Sequence, residues 1–153
     1  MLKHYIDKGC NYDILTWHKT NPTPTMNNTY ANDTEYLIMA RAKGTKLYGD
    51  YDSKKKYWIT TTNKNDKDNF IHPTIKPLNI IKTLITNSTQ EGDIVLDCFC
   101  GSGTTCVACK ETNRRYIGFE IDKEYYKIAN NRLNGIEASG QMTIQFNDKG
   151  ELL

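Results

Sequence analysis

The spacing of apolar residues changes along the chain, and each change predicts an element. Tyr12 to Lys19 (YDILTWHK) alternates around Ile14 and Trp17, which predicts a strand. The polar stretch NPTPTMNNTYANDT that follows has no apolar period and predicts a loop. Glu35 to Ala42 (EYLIMARA) is a short apolar run stopped by Gly44. It reads as a strand rather than a helix turn because it is short and carries Tyr36 and Ile38. Residues 43–69 are the most polar part of the chain and predict a mobile loop excursion, with a short hairpin around Tyr57 to Thr61.

From His72 onward the pattern becomes regular. Pro77 to Asn87 (PLNIIKTLITN) places Leu78, Ile81, Leu84 and Ile85 on one helical face, with Pro77 suited to the first helical position. GDIVLDCF follows as a strand whose continuous apolar run suits burial on both sides, as in a parallel sheet. Thr104 to Thr112 fits a helix, Arg115 to Ile121 (RYIGFEI) a second strand, and Lys123 to Leu133 a second helix. Residues 72–134 therefore predict a right-handed βαβ unit. The tail MTIQFND offers one further short strand. The whole chain, 1–153, is expected to form a single α/β domain.

Composition narrows the class. With 153 residues, 38% of them hydrophobic, the chain can bury a core of adequate size. No apolar run approaches the roughly 20 residues of a membrane span, and the N-terminus MLKHYIDKGC has no apolar stretch of signal-peptide type. An intracellular, cytoplasmic protein with no membrane partner is expected. Five cysteines, odd in number and mostly clustered, do not suggest a secreted disulfide framework. A net charge of +2 is compatible with nucleic acid without arguing for it. Lys54, Lys55 and Lys56, followed by Tyr57 and Trp58, are candidate DNA contacts through phosphates and base stacking, although the same run also reads as a solvated loop.

The densest chemistry is Val95 to Glu111, VLDCFCGSGTTCVACKE, with Cys98, Cys100, Cys106 and Cys109 around a glycine turn. A zinc site needs four ligands converging tetrahedrally. Cys98 and Cys100 fall at a strand end and its turn, whereas Cys106 and Cys109 share one face of the next helix. That face is expected to pack on the sheet, so the cysteines read as packing and no metal is assigned. Gly101 and Gly103 allow a tight turn and close approach of a ligand, and the helix starting near Thr104 presents its free N–H groups there. Glu120, at the end of the next strand, stands where an acid accepts from ribose hydroxyls. A nicotinamide dinucleotide would fit all of this, but Cys106 replaces the third glycine of its fingerprint. Asp97, directly before the turn, would also repel a pyrophosphate. The same charge favours S-adenosylmethionine, which carries an ammonium, a sulfonium and a ribose but no phosphate.

The segments HPTIKPLNIIKTLI, GDIVLDCFCGSGTT and RRYIGFEIDKEYYKIANNRL resemble the C-terminal half of DNA amino-methyltransferases. These are the adenine-N6 and cytosine-N4 enzymes in which the amine motif precedes the cofactor motif. The upstream YDILTWHKTNPTPTMNNTYANDTEYLIMARAKG is similar to the segment after the amine motif. The resemblance implies a three-layer Rossmann-like methyltransferase sheet, S-adenosyl-L-methionine as cofactor, and double-stranded DNA as substrate. It implies that Asp97, Phe99, Gly101, Ser102, Gly103 and Thr104 line the cofactor, that Lys76 meets its carboxylate, and that His72 and Thr74 shape that wall. Glu120 would bind the ribose and Ile121 flank the adenine.

One departure is large. The family holds the base's amino group with Asp, Asn or Ser followed by Pro-Pro and an aromatic, and no two of the prolines Pro22, Pro24, Pro73 and Pro77 are adjacent. No catalytic residue is therefore assigned, Asn21-Pro22-Thr23-Pro24 included. The chain is expected to be a partial domain lacking the strand that carries the amine motif. Two half-sheets with unpaired inner edges would result, unless a chain supplying the N-terminal part fills the gap.

Overall fold

The computed structural model describes residues 2–22, 24, 28–62 and 75–135. Contacts divide the chain into two compact units, Met1–Thr62 with Thr86–Thr89, and Asn63–Ile85 with Gln90–Leu153.

The first unit begins with a helix that the apolar pattern did not announce, α1 (Leu2–Asp7), and then forms β1 (Asn11–Lys19), β2 (Thr34–Arg41) and β3 (Tyr57–Thr60). The two longer strands lie within a residue of their predicted bounds. They pair antiparallel with Ile14 opposite Ile38 and Thr16 opposite Tyr36. Alternation sends Leu15 and Trp17 into the core and leaves Tyr12 and Ile14 exposed on the other face.

Two expectations for this region are corrected. Tyr57–Thr60 is not half of a hairpin but a strand parallel to β1, with Trp17 opposite Trp58. The indole N–H of Trp17 donates to Thr60 Oγ1 at 2.8 Å, tying the pair. Consequently β1 is the central strand of a sheet ordered β2-β1-β3, not an open inner edge. Residues 63–69 of the predicted excursion lie outside the described residues.

An ion cluster spans the strands. Asp13 accepts from Arg41 Nη2 at 2.8 Å and pairs with Lys56 Nζ at 2.5 Å. The Lys56 ammonium and then the Arg41 guanidinium hold the Asp13 carboxyl below its ordinary 3.8.

The second unit contains most of α2 (Leu78–Ser88), then β4 (Ile94–Asp97), α3 (Thr104–Glu111), β5 (Arg115–Gly118) and α4 (Lys123–Leu133). Pro77 stands one residue before α2, where its carbonyl accepts from Ile81 N–H. Ile85 of α2 packs with Ala108 and Cys109 of α3, and Leu78, Ile81 and Val95 surround them. Ile80, outside the predicted stripe, is also buried. Strands β4 and β5 pair in parallel, Val95 opposite Tyr116 and Leu96 opposite Ile117, as the βαβ order required. Among the described residues, burial of β4 on both sides is not found: Ile94 and Leu96 are more than half exposed, while Val95 packs against the helical cluster. The tail beyond residue 135, with its candidate strand, lies outside the described residues.

The Asp13 cluster gives a pH prediction. A carboxyl whose folded pKa is depressed contributes stability above its unfolded value and loses it as pH falls through the folded one. Urea denaturation should therefore show a midpoint that falls below about pH 4. Asp13→Asn should flatten that part of the profile while lowering the midpoint at neutral pH.

Candidate functional site

The turn after β4 is built by a short chain of backbone bonds. Phe99 N–H donates to Asp97 Oδ1 at 3.0 Å, so Asp97 caps the turn it precedes. Phe119 N–H donates to Asp97 O and Cys100 N–H to Phe119 O, both at 2.9 Å, which extends the β4–β5 ladder into the loop. Gly101 and Gly103 then take positive φ of 52° and 79°. Left-handed backbone of this kind is cheap only for glycine. At Gly103 space adds a second demand: a Cβ would stand 2.8 Å from Ala129 Cβ and 3.1 Å from Ala129 Cα.

Two side chains from distant positions hold the loop. Glu120 Oε2 accepts from Gly101 N–H at 2.8 Å, and its Oε1 accepts from Asp122 N–H at 2.9 Å. Arg132, in the last turn of α4, donates from Nη1 to Ser102 O at 2.7 Å and to the hydroxyls of Ser102 and Thr104 at 3.1 Å. Nothing local in the sequence marks Arg132, since a basic residue in a last helical turn reads as a partner of the helix dipole.

The electrostatics follow from those positions. Gly101 N–H is turned toward Glu120 and is not offered to an anion. The thiols of Cys100 and Cys106 sense the same field. Burial first, then Asp97 and Glu120, push the Cys100 thiol up, and burial, Cys100 and Asp97 push Cys106 up to about 12. A pyrophosphate entering here would meet two carboxylates. Beside the loop lies an open recess of about 360 Å³ lined by Cys98, Phe99, Phe119, Glu120 and Ile121. Phe99 and Ile121 are almost fully exposed at its rim. An apolar slot with one carboxylate suits a nucleoside.

The predicted residues divide accordingly. Asp97, Phe99, Gly101, Ser102, Gly103 and Thr104 fall in or beside one turn, and Glu120 and Ile121 adjoin it. Ser102 and Thr104 are buried, with their hydroxyls directed to Arg132. Lys76 is exposed between buried Ile75 and Pro77 on the segment leading into α2. His72 and Thr74 lie outside the described residues. Cys106 and Cys109 are buried. Among the described residues no group of three or more His, Cys, Asp or Glu could hold a metal ion.

The lysine run belongs to the first unit. Lys55 pairs with Asp52 at 2.8 Å and Lys56 with Asp13. All three lysines, Lys54 included, have exposed side chains. No helix among the described residues is long and apolar enough to cross a membrane.

Comparison with known proteins agrees with this geometry. Residues 2–131 match the family model described as DNA methylase. The chain is 40% identical over 133 residues to the type II methyltransferase M2.LlaDCHI of Lactococcus lactis subsp. cremoris, covering 78% of this chain and 49% of the relative. It is 41% identical over 132 residues to M2.DpnII of Streptococcus pneumoniae, again 78% and 49%. The chain thus spans about half the length of these curated relatives. Among solved structures, the M1.HpyAVI–SAM complex superposes with a TM-score of 0.73 at 34% identity, over 86% of this chain and 67% of that one.

Gly103→Ala tests the construction of the turn. Left-handed backbone and the contact with Ala129 should together cost about 2 kcal/mol or more. The urea midpoint should fall accordingly, and an unchanged midpoint would contradict the geometry.

Proposed function

The chain belongs to the DNA methylase family, and on that premise we propose that it is the S-adenosylmethionine-binding part of a DNA amino-methyltransferase. The reaction of the whole enzyme is methyl transfer to the exocyclic amine of adenine (N6) or cytosine (N4) in double-stranded DNA. The observation that carries this reading is the pair of carboxylates, Asp97 and Glu120, flanking a glycine turn whose Gly101 N–H is already taken. That arrangement disfavours phosphate and favours a cationic nucleoside.

Within this reading Asp97 attracts the positive end of the cofactor, while Gly101 and Gly103 let the backbone approach it. Phe99 and Ile121 flank the adenine. Each Glu120 oxygen keeps a lone pair beyond the one its backbone donor uses, which leaves capacity for ribose hydroxyls. Ser102 and Thr104 act through the loop shape that Arg132 fixes. Lys76, with His72 and Thr74, would meet the cofactor's carboxylate. When bound, the cofactor supplies an electrophilic methyl group. The protein's part is to hold it in line with the amine.

No residue of this sequence supplies the family's amine-holding motif, which supports a second form of the reading. The chain then binds the cofactor without transferring the methyl group until a partner chain contributes that motif. Exposed Lys54, Lys55 and Lys56 are proposed to meet DNA phosphates, exchanging their carboxylate partners Asp52 and Asp13 for them. The site of action would be the cytoplasm, where the DNA is.

Calorimetry on the purified chain should show binding of S-adenosylmethionine and none of a nicotinamide dinucleotide. Asp97→Asn should weaken the first by about tenfold or more, the usual scale for a contact to a charged group. Methyl transfer to mixed DNA by the chain alone should be little or none. Binding of the dinucleotide in place of the methyl donor would overturn the reading.

A further inference from the structure

The turn that follows β2 is basic and is not neutralised locally. Arg41, Lys43 and Lys46 fall close together, and no acid stands between Glu35 and Asp50. Lys43 and Lys46 are exposed, and among the described residues neither forms an ion pair. The later lysine run differs, because Lys55 and Lys56 are already engaged by Asp52 and Asp13. Arg41 adds to the positive excess. Its partner Asp13 is shared with Lys56, which leaves one carboxylate between two cations. The Arg41 Nε is buried and has no hydrogen-bond partner.

Hydrogen bonds shape this turn. Thr45 donates twice to Ala42 O, from its N–H at 3.2 Å and from Oγ1 at 2.8 Å. Gly44 takes the left-handed φ of 81° that the reversal uses. Beside it lies an open recess of about 460 Å³, to which Arg41, Thr45, Lys46 and Ser88 bring polar groups and Ala42 and Leu47 apolar ones. All of these residues belong to the first unit. No carboxylate lines this recess, whereas the one beside the glycine turn carries Glu120 and no cation. Opposite lining charges select opposite ligands. A sugar-phosphate chain matches this lining, with anionic oxygens toward the cations and deoxyribose against Ala42 and Leu47. We propose that the turn Arg41–Leu47 and its recess hold the phosphodiester backbone of duplex DNA, fixing its register without reading its sequence. The inference rests on the proposed function and adds to it a place where the substrate's backbone is gripped.

The test uses the full 153-residue chain and labelled duplex oligonucleotides of several sequences, followed by fluorescence anisotropy across a salt series. One phosphate contact contributes a slope of about 0.9 in log K against log salt, which is about eightfold in affinity at about 0.1 M salt. Lys43→Gln and Lys46→Gln should each approach that loss, to the same extent on every sequence, and each should reduce the slope by about one. Lys127→Gln removes the same charge from the exposed surface of α4 in the other unit and should change affinity by less than about twofold. Circular dichroism and S-adenosylmethionine binding should be unchanged in all three variants. Inorganic phosphate should displace the duplex no better than chloride at equal ionic strength. Four outcomes overturn the proposal. The two turn variants keep both affinity and slope, Lys127→Gln costs as much as they do, inorganic phosphate competes specifically, or the unaltered chain binds the cofactor but no duplex. Absence of cofactor binding in the unaltered chain strikes the functional reading itself, and calorimetry reports it separately.

Discussion

Glu120 joins two places that the chain would otherwise leave unconnected. One carboxylate oxygen holds the N–H of Gly101, in the turn after β4, and the other holds the N–H of Asp122, the residue that caps α4. Hydrogen bonds to a charged acceptor contribute about 1.5–3 kcal/mol each, enough to fix a glycine turn that has little conformational preference of its own. From the other side Arg132 grips Ser102 and Thr104. The loop is therefore held between an acid at the start of the βα connection and a base at the end of the following helix. Its shape and its negative potential have a common origin, because the carboxylate that sets the turn also repels phosphate.

Much of this was legible because the chemistry sits at element boundaries that periodicity can locate. The helix Lys123–Leu133 was read at its true bounds. Asp122 accepts there from Glu124 and Tyr125 N–H, a capping arrangement with a strong local signature. Asp97 was placed at its strand end for the same reason, whereas Glu120, expected near the end of a strand running to Ile121, lies two residues past the observed end at Gly118. The buried thiols followed from helical spacing. What failed were pairings between distant residues. Tyr57–Thr60 is a short apolar run in polar surroundings, and only the partner it finds, β1, decides between a hairpin and a parallel strand. Lys56 looked like one of a solvated run, yet it meets Asp13, 43 positions earlier in the sequence. Arg132 was invisible for the same reason.

The largest misreading, burial of β4 on both sides, has a different cause. A run such as Ile94-Val95-Leu96 records what a strand needs, not what the rest of the chain provides. Sequence states the requirement for a two-sided environment; coordinates show which side is met. Val95 meets the core cluster, whereas among the described residues Ile94, Leu96 and all four residues of β5, Tyr116 included, are exposed.

Those two faces bear on the ligand site through register. Within β4 successive side chains go to the core (Val95), the exposed face (Leu96) and the turn (Asp97). A slip of one residue would exchange the faces and carry Asp97 away from the turn it caps. Packing of Val95 against Ile85, Ala108 and Cys109 holds this register.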